Sequence, residues 1–404
     1  EALDTGKPIQ ETIAVDVLSG ADCIDYYAGL ARTIAGEHHD LGTGAFGYSR
    51  REPLGVVAGI GAWNYPIQIA CWKSAPALAC GNAMIFKPAE LTPLTAIELE
   101  KAYRDAGLPD GLFQVVQGKA ETGRMLSRHP DIAKVSLTGE VGTGKKVMVD
   151  AAGTLKYVTF ELGGKSALIV FEDADLDSAA NAQVSGIFAA TGQTCIAGSR
   201  LLVQNSIKDR FVQRLAEIGA TARKGNPMLA ETNIGPVTTP AQYRKILDYI
   251  DIAKKEGARC VLGGGPATQA DLPGGQFVEP TIFVDVTPQM RIAREEVFGP
   301  VLSVIGFDDE AEAVRMANDT IYGLAAGVWT SDMGRALRMS QALKAGTVWV
   351  NTYRAVSYMM PFGGMKHSGI GRESGIASIE QYLETKSTWI SYAKGAPANP
   401  FILR

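Results

Sequence analysis

Short runs of β-branched and apolar residues alternate with amphipathic segments along most of this 404-residue chain. In the first series, the predicted strands are Val56–Ala62, Ala83–Phe86, Phe113–Val116 and Val135–Leu137, and the predicted helices are Gln68–Ala79, Thr95–Ala106, Glu121–Arg128 and Gly144–Ala152. Buried strands that alternate with helices are typical of a parallel sheet covered by helices on both faces. The sequence therefore predicts a doubly wound α/β fold.

The alternation then starts a second time. The second series of predicted strands comprises Ser166–Phe171, Arg200–Gln204, Arg259–Leu262, Ala326–Trp329 and Thr347–Val350, with predicted helices at Ile207–Ile218 and Pro240–Glu256. The break near Glu161–Lys165 indicates a boundary between two α/β domains. The chain length agrees with two or three domains, because a domain typically has about 100–200 residues.

The segment His38–Arg51 differs from its surroundings. It contains three glycines, lacks a helical period and precedes the first strong strand. These features predict a protruding β-hairpin. Its unpaired edges would be covered by a partner subunit, as is common for exposed edge strands.

Composition and charge exclude several functional classes. The net charge is −4, the calculated pI is about 5.7, and acidic and basic residues are intermixed, whereas a nucleic-acid surface needs clustered Lys and Arg. The same balance argues against electrostatic binding to membranes. No uninterrupted apolar run approaches the roughly 18 residues of a membrane span.

The five cysteines are irregularly spaced, and none forms a CxxC pair or stands at zinc-finger spacing from one of the four histidines. We therefore expect reduced thiols in a cytoplasmic protein and no metal site. Glu1 has no preceding methionine, and EALDTGKPIQE is typical of a helix already in progress. We accordingly expect that an N-terminal portion precedes this sequence.

A candidate phosphate turn lies in VSLTGEVGTGKK, residues 135–146. A predicted strand leads into Gly139, and the predicted helix begins at Gly144. Glycines allow a phosphate to approach the backbone, and the free N–H groups of a helix N-terminus bind anions. The alternative is an ordinary tight turn, because the motif is neither GxGxxG nor a P-loop.

The segment IFKPAELTP places Lys87 and Glu90 at the end of a predicted strand, where open α/β sheets bind ligands. A lysine donor and a carboxylate acceptor at this spacing can hold the two hydroxyls of a ribose. The alternative is that both residues only cap and solvate the start of a helix.

Two further motifs contain candidate catalytic groups. Glu161 in TFELGGK follows a β run, and apolar surroundings would raise its pKa towards that of a general base; alternatively, it pairs with Lys165. Asn64 in GAWNYP can donate to a developing oxyanion, or it can form an Asx turn before a helix.

Cys195 lies in TGQTCIAGS, between a Gly-Gln pair and small residues. A lone cysteine is ordinarily a buried, inert hydrophobe. None of the four histidines is near it in sequence, so a Cys–His pair has little support. The remaining candidate base is Glu161, and the motif alone leaves packing and catalysis both open.

Taken together, these motifs resemble those of the aldehyde dehydrogenase superfamily. The segments that carry the resemblance are AWNYP, KPAE, ELGGK, GQTC, EEVFGP at 295–300 and PFGGMKHSG at 361–369, in matching order from about residue 1 to about residue 395. Within the superfamily, these segments most resemble those of betaine-aldehyde and amino-aldehyde dehydrogenases. The resemblance implies a Rossmann-like NAD-binding domain, a second α/β catalytic domain and a small β oligomerisation hairpin.

The resemblance also implies the boundaries of these parts. Residues 1–37 and 54–163 match the NAD-binding domain, 38–53 and 385–395 the oligomerisation arm, 164–360 the catalytic domain, and 361–384 a return to the NAD-binding domain. Family members usually have a longer N-terminal part. A homodimer or homotetramer is expected, in which the segment near Ser387–Ser391 pairs with the hairpin.

The implied chemistry converts an aldehyde to an acid. Cys195 matches the thiol that attacks the aldehyde to give a thiohemiacetal, and Asn64, with the backbone N–H of Cys195, matches the oxyanion hole. Hydride transfer leaves a thioester, and Glu161 matches the base that activates water to hydrolyse it. Lys73 and Glu373 match a proton-exit relay of some relatives.

NAD is the implied cofactor, in preference to NADP. The matching cofactor residues are Trp63, Lys87, Glu90, Gly139, Gly144, Glu296 and Phe298. Lys87 and Glu90 match the pair on the adenosine ribose, where a glutamate would repel a 2′-phosphate. Glu296 matches the residue that holds the nicotinamide ribose.

Glu140 departs from many relatives, which have Ser or Gly at this position. A carboxylate there would repel the pyrophosphate unless it pointed outward.

The substrate class is less constrained. Four aromatic residues are candidates for the substrate pocket: Tyr65, Trp72, Tyr353 and Tyr358. Betaine-specific relatives often hold a quaternary ammonium in an aromatic box by cation–π attraction. Some of these relatives have a large aromatic ring at the position where this chain has the small residue Ala189. An uncharged aliphatic or aromatic aldehyde is therefore at least as well suited to the pocket as a trimethylammonium aldehyde.

Two rival functions remain. A CoA-acylating semialdehyde dehydrogenase would transfer the thioester instead of hydrolysing it, but that subgroup generally lacks the glutamate that Glu161 supplies. A catalytically retired relative would serve as a structural protein. The joint presence of Cys195, Glu161 and Asn64 argues against retirement.

Overall fold

The N-terminal region is helical. The protein is described by a computed structural model that covers residues 1–269, 272, 274–395 and 399–402. Helices α1 (Ala2–Thr5) and α2 (Ile9–Glu11) lead through a π-helical stretch into α3 (Leu18–Leu30). A hairpin of β1 (His38–Asp40) and β2 (Ala45–Pro53) follows, as predicted, with His38 opposite Tyr48.

The first α/β unit follows the predicted alternation of strands and helices. Its elements are β3 (Val56–Ile60), α4 (Pro66–Ala79), β4 (Ala83–Lys87), α5 (Leu94–Asp105), β5 (Phe113–Val115), α6 (Ala120–Arg128), β6 (Lys134–Thr138), α7 (Val141–Ala152) and β7 (Tyr157–Glu161). The five strands pair in parallel in the order β7-β6-β3-β4-β5. Pro66 begins α4 at a position where a missing N–H costs nothing.

The second unit is built on a wider sheet. Its elements are β8 (Ala167–Val170), α8 (Leu176–Phe188), β9 (Arg200–Gln204), α9 (Lys208–Ala220), α10 (Pro240–Lys255), β10 (Arg259–Leu262), β11 (Thr281–Val284), α11 (Arg291–Arg294), β12 (Val301–Phe307), α12 (Glu310–Asn318), β13 (Ala325–Trp329), α13 (Met333–Ala342) and β14 (Thr347–Val350). The strand order is β10-β11-β12-β9-β8-β13-β14, with β10 antiparallel to β11 and the other pairs parallel. The side chain of Thr239 accepts from the N–H of Gln242 at 3.0 Å and caps α10.

The C-terminal segment adds one strand to the first parallel sheet and one strand to the hairpin. The short strand β15 (Gly369–Ile370) pairs antiparallel with β7, opposite Glu161 and Phe160. The last strand, β16 (Leu383–Ser391), pairs along its whole length with β2. The two parallel sheets and this small antiparallel sheet confirm the predicted α/β class.

Two strands of the second sheet were not predicted, β11 and β12. β11 has only four residues, and Ser303 and Gly306 interrupt the apolar run of β12, so neither has a clear strand pattern. Elsewhere the predicted bounds agree with the structure within a few residues. Ser387 lies opposite Ser49, so the pairing expected between the C-terminal segment and the hairpin is present.

Candidate active site

Cys195 lies in a tight loop between α8 and β9. Before it, Ala190 and Thr191 have φ values of 50° and 55°, a left-handed backbone that is costly for residues with a Cβ. Tertiary bonds hold this conformation: the Thr191 hydroxyl donates to the Gly235 carbonyl at 3.0 Å, and the Ala190 N–H donates to Glu11 at 2.9 Å. The loop presents a half-buried Cys195 between the two parallel sheets.

Two glycines allow three segments to meet beside this loop. A Cβ on Gly164 would lie 2.5 Å from the Cys195 carbonyl oxygen, and a Cβ on Gly163 would collide with the Glu296 carboxylate. The Gly164 N–H instead donates to Glu296 at 2.8 Å. The glycines of ELGGK are therefore required for close approach of the nucleophile loop and the EEVFGP segment.

Glu161 is the last residue of β7. Both of its carboxylate oxygens are buried and lack a hydrogen-bond partner among the described residues. Burial raises its pKa well above the ordinary value, and the charge of Glu373 raises it further, against the opposing effects of Lys73 and Arg372.

The alternative ion pair between Glu161 and Lys165 is not formed. The Lys165 ammonium is also buried without a hydrogen-bond partner in the described part of the chain. Burial lowers its pKa to about 7. Glu161 is thus a carboxylate whose proton affinity is set by desolvation, as a general base requires.

The electrostatics of Cys195 connect it to both glutamates. Burial raises the pKa of the thiol to about 12, and the charges of Glu161 and then Glu296 add to this rise. Hydrogen bonds from the backbone N–H groups of Ile196 and Cys195 act in the opposite direction. The thiol is therefore neutral at pH 7 in this structure, and a base is needed to make it a nucleophile.

Asn64 and Tyr65 follow β3 and reach the nucleophile loop. The Asn64 amide donates to the Gln193 carbonyl at 3.0 Å, which replaces the Asx turn considered from the sequence. This is the only side-chain hydrogen bond of Asn64 among the described residues, so one amide hydrogen remains for a ligand. The Tyr65 hydroxyl lies 3.0 Å from Thr194 Oγ1, next to the nucleophile.

Lys73 and Glu373 form an ion pair in the interior. The Lys73 ammonium also donates to the Ser136 hydroxyl at 2.9 Å, and that hydroxyl lies 3.2 Å from Glu373. Because the charges of Lys73 and Glu373 both act on the pKa of Glu161, this buried pair and the candidate base form one electrostatic group.

The candidate ribose pair lies at the carboxyl end of β4. Lys87 is buried, and its ammonium lies 3.9 Å from the exposed carboxylate of Glu90. The ammonium donates to the Pro88 carbonyl at 3.0 Å, and burial lowers its pKa. A role limited to capping and solvation does not account for a buried lysine here.

The candidate phosphate turn joins β6 to α7. The Gly139 N–H donates to the Glu161 carbonyl at 2.9 Å, and a Cβ on Gly144 would lie 2.8 Å from Leu162. Helix α7 therefore begins close to the strand that ends in Glu161. Its first N–H groups have no intrahelical acceptor and are available to an anion.

Trp63 and Phe298 lie in loops of different α/β units, yet their rings meet edge to face with centroids 5.3 Å apart. Glu296 is two residues from Phe298, and burial raises its pKa. The charge of Lys245 acts on Glu296. Sequence reasoning missed Lys245, because nothing in the surrounding helix pattern distinguishes it from a surface lysine.

Three of the four candidate pocket aromatics, Tyr65, Trp72 and Tyr358, pack in one hydrophobic cluster, whereas Tyr353 packs against a cluster of the second α/β unit. Trp72 packs on Phe362 at 5.8 Å, a partner that sequence reasoning missed. The Tyr353 hydroxyl donates to the Ile196 carbonyl at 2.8 Å, so this ring supports the nucleophile loop from the second sheet. Tyr358 packs against Tyr26 of α3 at 5.3 Å.

A network not foreseen from the sequence surrounds Tyr65. Arg354 donates to the Tyr65 hydroxyl at 3.0 Å and pairs with Glu11 at 3.3 Å. The Lys7 ammonium lies over the Tyr65 ring, 3.6 Å from its centroid. These residues have no recognisable spacing, since three distant segments supply them.

No cluster of three or more His, Cys, Asp or Glu side chains in the described part of the chain is arranged to hold a metal ion. Across the described residues, the helices lack the combined length and apolarity of a bilayer-spanning segment.

Comparison with known proteins shows the family of this chain. The model of the aldehyde dehydrogenase family matches residues 1–388. The chain belongs to the aldehyde dehydrogenase family. The family resemblance inferred from the motifs is thereby confirmed, and this aldehyde dehydrogenase is an oxidoreductase that acts on aldehydes.

Solved structures similar to this aldehyde dehydrogenase include several named enzymes. The aldehyde dehydrogenase KauB from Pseudomonas aeruginosa is 45% identical, with a TM-score of 0.94 over 96% of this chain and 79% of that one. Betaine aldehyde dehydrogenase from Staphylococcus aureus, in complex with NAD+, is 42% identical, with a TM-score of 0.96 over 100% and 80% of the two chains. PnpE from Pseudomonas sp. WBC-3 is 41% identical, with a TM-score of 0.96 over 98% and 82%.

Proposed function

We propose that this enzyme oxidises an aldehyde to a carboxylic acid with NAD, through a thiohemiacetal and a thioester on Cys195. The observation that carries the proposal is the buried carboxylate of Glu161, which has no hydrogen-bond partner among the residues that the structure describes and whose charge acts on the Cys195 thiol. Transfer of an acyl group to water requires a nucleophile and, close to it in a desolvated site, a base of shifted pKa.

The first step needs a base and a donor. Sγ of Cys195 adds to the aldehyde carbon, and its proton passes to the Glu161 carboxylate. The carbonyl oxygen becomes an oxyanion, which the Asn64 amide and the Cys195 N–H would stabilise. The bond from Asn64 to Gln193 fixes the amide next to the loop, so it needs little reorganisation as charge develops.

A bound NAD would supply the acceptor for the hydride that leaves the thiohemiacetal carbon. The residues present fit a dinucleotide: buried Lys87 with Glu90 for a ribose, Glu296 for a second ribose, and the start of α7 for the pyrophosphate. Glu90 favours NAD over NADP, since it would repel a 2′-phosphate. The NAD+ complex of the Staphylococcus aureus relative supports the same choice.

The thioester is then hydrolysed. Glu161, whose pKa is raised by burial, first releases the proton that it took from the thiol. It then takes a proton from a water molecule that attacks the thioester carbon, and the C–S bond breaks to give the acid and the Cys195 thiolate. The buried Lys73–Glu373 pair with Ser136 is a route by which that proton leaves the cleft. Retention of Glu161 in this place favours hydrolysis over transfer to CoA and argues against a retired relative.

The substrate is an uncharged aliphatic or aromatic aldehyde. Ala189 is small where a cation-binding box would need a ring, and Tyr353 uses its hydroxyl on the nucleophile loop. Betaine aldehyde is the second candidate, because Tyr65 and Trp72 retain aromatic rings beside the loop and the betaine enzyme is among the similar structures.

A homodimer or homotetramer is part of the proposal. Trp389 on β16 is 76% exposed, and Ile390 and Tyr392 beside it are also exposed. A group of large apolar side chains on an exposed arm favours contact with a second copy of the chain.

The test is a panel of aliphatic, aromatic and trimethylammonium aldehydes, each with NAD and with NADP. We expect NADH formation, faster than NADPH formation. Cys195→Ala should abolish turnover and leave the dissociation constant of NAD nearly unchanged, whereas Cys260→Ala, at another half-buried cysteine, should retain activity. Absence of reduced cofactor across the panel refutes the enzymatic proposal, and turnover by Cys195→Ala refutes the assignment of the nucleophile.

A further inference from the structure

Glu140 lies immediately before α7, in the turn between β6 and α7. Its backbone is extended, with φ −79° and ψ 149°, and its carbonyl accepts the Gly144 N–H at 3.0 Å. It is therefore the N-cap residue of a 12-residue helix. Acidic N-cap side chains normally accept an N–H of the first turn, but the Glu140 side chain makes no such bond.

The carboxylate nevertheless lies over the start of the helix. Its Oε1 is 3.9 Å from the point where a Cβ on Gly142 would stand. The side chain is exposed, and among the described residues it has no cationic partner within 4.0 Å. It therefore places an uncompensated negative charge beside N–H groups that would otherwise attract an anion.

The charge of Glu140 also acts on groups of the second α/β unit. Burial is the main cause of the raised pKa of Glu296, and the charge of Glu140 adds to the rise. Burial is likewise the main cause of the raised pKa of Tyr322, to which the charges of Glu296 and then Glu140 contribute. The position of the carboxylate over the start of α7 is thus compatible with an effect on a ligand held between the two units.

We propose that Glu140 weakens dinucleotide binding by repelling the pyrophosphate, and thereby sets the affinity for both NAD+ and NADH. The inference rests on the proposed function, because it takes the start of α7 to be the pyrophosphate site. The oxidised and reduced dinucleotides have the same pyrophosphate, so the affinity for each is lowered by a similar factor and the reduced product leaves faster.

The size of the effect follows from the exposure of the group. A single exposed charge at a helix terminus is screened by water and salt, so its removal changes binding by roughly two- to fivefold. Glu140→Gln keeps the size of the side chain and removes only the charge. Glu140→Ser is a second variant, in which a hydroxyl can cap the helix and donate to a phosphate.

The experiment measures dissociation constants for NAD+ and NADH by isothermal titration calorimetry, with EDTA present, at low and at high salt. The matched control is Asp105→Asn, which removes an exposed carboxylate at the far end of α5. We expect Glu140→Gln to bind both dinucleotides roughly two- to fivefold more tightly at low salt, with a smaller gain at high salt. Asp105→Asn should match the wild type.

Two results overturn the inference. If Glu140→Gln binds NAD+ as well as or less well than the wild type, the carboxylate does not oppose the pyrophosphate. If Asp105→Asn shows the same gain, the effect belongs to the net charge of the protein and not to this position. Failure of the proposed function looks different, because then the wild type itself binds neither NAD+ nor NADP+.

Discussion

Replacing Glu161 with glutamine should change how the stability of the fold depends on pH. In the folded protein both carboxylate oxygens are buried and have no hydrogen-bond partner within the described part of the chain, and burial, followed by the charge of Glu373, raises the pKa of this group. In the unfolded chain the same carboxyl titrates near its ordinary value of 4.5. Glutamine has nearly the same shape and does not titrate.

The sign and size of the effect follow from proton linkage. At a pH between the unfolded and folded pKa values, the unfolded state has released a proton that the folded state retains. The wild type therefore loses stability relative to Glu161→Gln as pH rises above 4.5, by up to about 1.4 kcal/mol per pH unit. The loss stops increasing once the pH passes the folded pKa.

The assay is urea unfolding of both proteins at half-unit intervals from pH 5 to pH 8. The difference in unfolding free energy isolates Glu161, because every other titrating group is shared. We expect the variant to gain stability steadily with pH until the curve flattens at the pKa of the native carboxyl. Two curves that run parallel over this range would refute the reasoning, since Glu161 would then have the same pKa folded and unfolded. In single-turnover experiments the variant should also accumulate acyl-enzyme, because water lacks its base.

The remaining predictions concern the buried ion pair and the exposed arm. Lys73→Met leaves the Glu373 carboxylate buried without its cation and should lower the unfolding free energy by about 3–5 kcal/mol, whereas the double variant Lys73→Met/Glu373→Gln should recover most of it. Urea unfolding measures both, and equal losses would show that the pair is not coupled. Trp389→Glu should shift the protein to a smaller species in size-exclusion chromatography with multi-angle light scattering, while Met333→Glu, at another highly exposed apolar residue, should not. An unchanged mass for Trp389→Glu would place the subunit contact elsewhere.

Local patterns were sufficient for most of the fold. Strands such as Arg200–Gln204 are short, apolar and bounded by turn residues, and Thr239-Pro240 signals the start of α10, so each is specified by neighbouring residues. The two missed strands are Thr281–Val284, which has only four residues, and Val301–Phe307, whose apolar run is interrupted by Ser303 and Gly306. A short or interrupted run has no clear period that distinguishes strand from helix.

The candidate site was accessible to sequence reasoning only in part. Cys195, Glu161 and Asn64 stand in motifs whose order along the chain resembles a family, so their identity as candidates needed no coordinates. Arg354, Thr194 and Ser136 were missed, because each acquires its place through a contact with a residue far away in the chain.

The sequence by itself determined the α/β class, the family and the candidate nucleophile, since these depend on residue types and their order. It left open whether Glu161 pairs with Lys165, whether Asn64 forms an Asx turn, and where the Glu140 carboxylate lies. Only the tertiary structure decided these points: Glu161 and Lys165 are buried apart, Asn64 binds the loop of Cys195, and Glu140 lies over the start of α7. The physical reason is that desolvation and distance set proton affinity and electrostatic attraction, and both depend on which distant segments pack together.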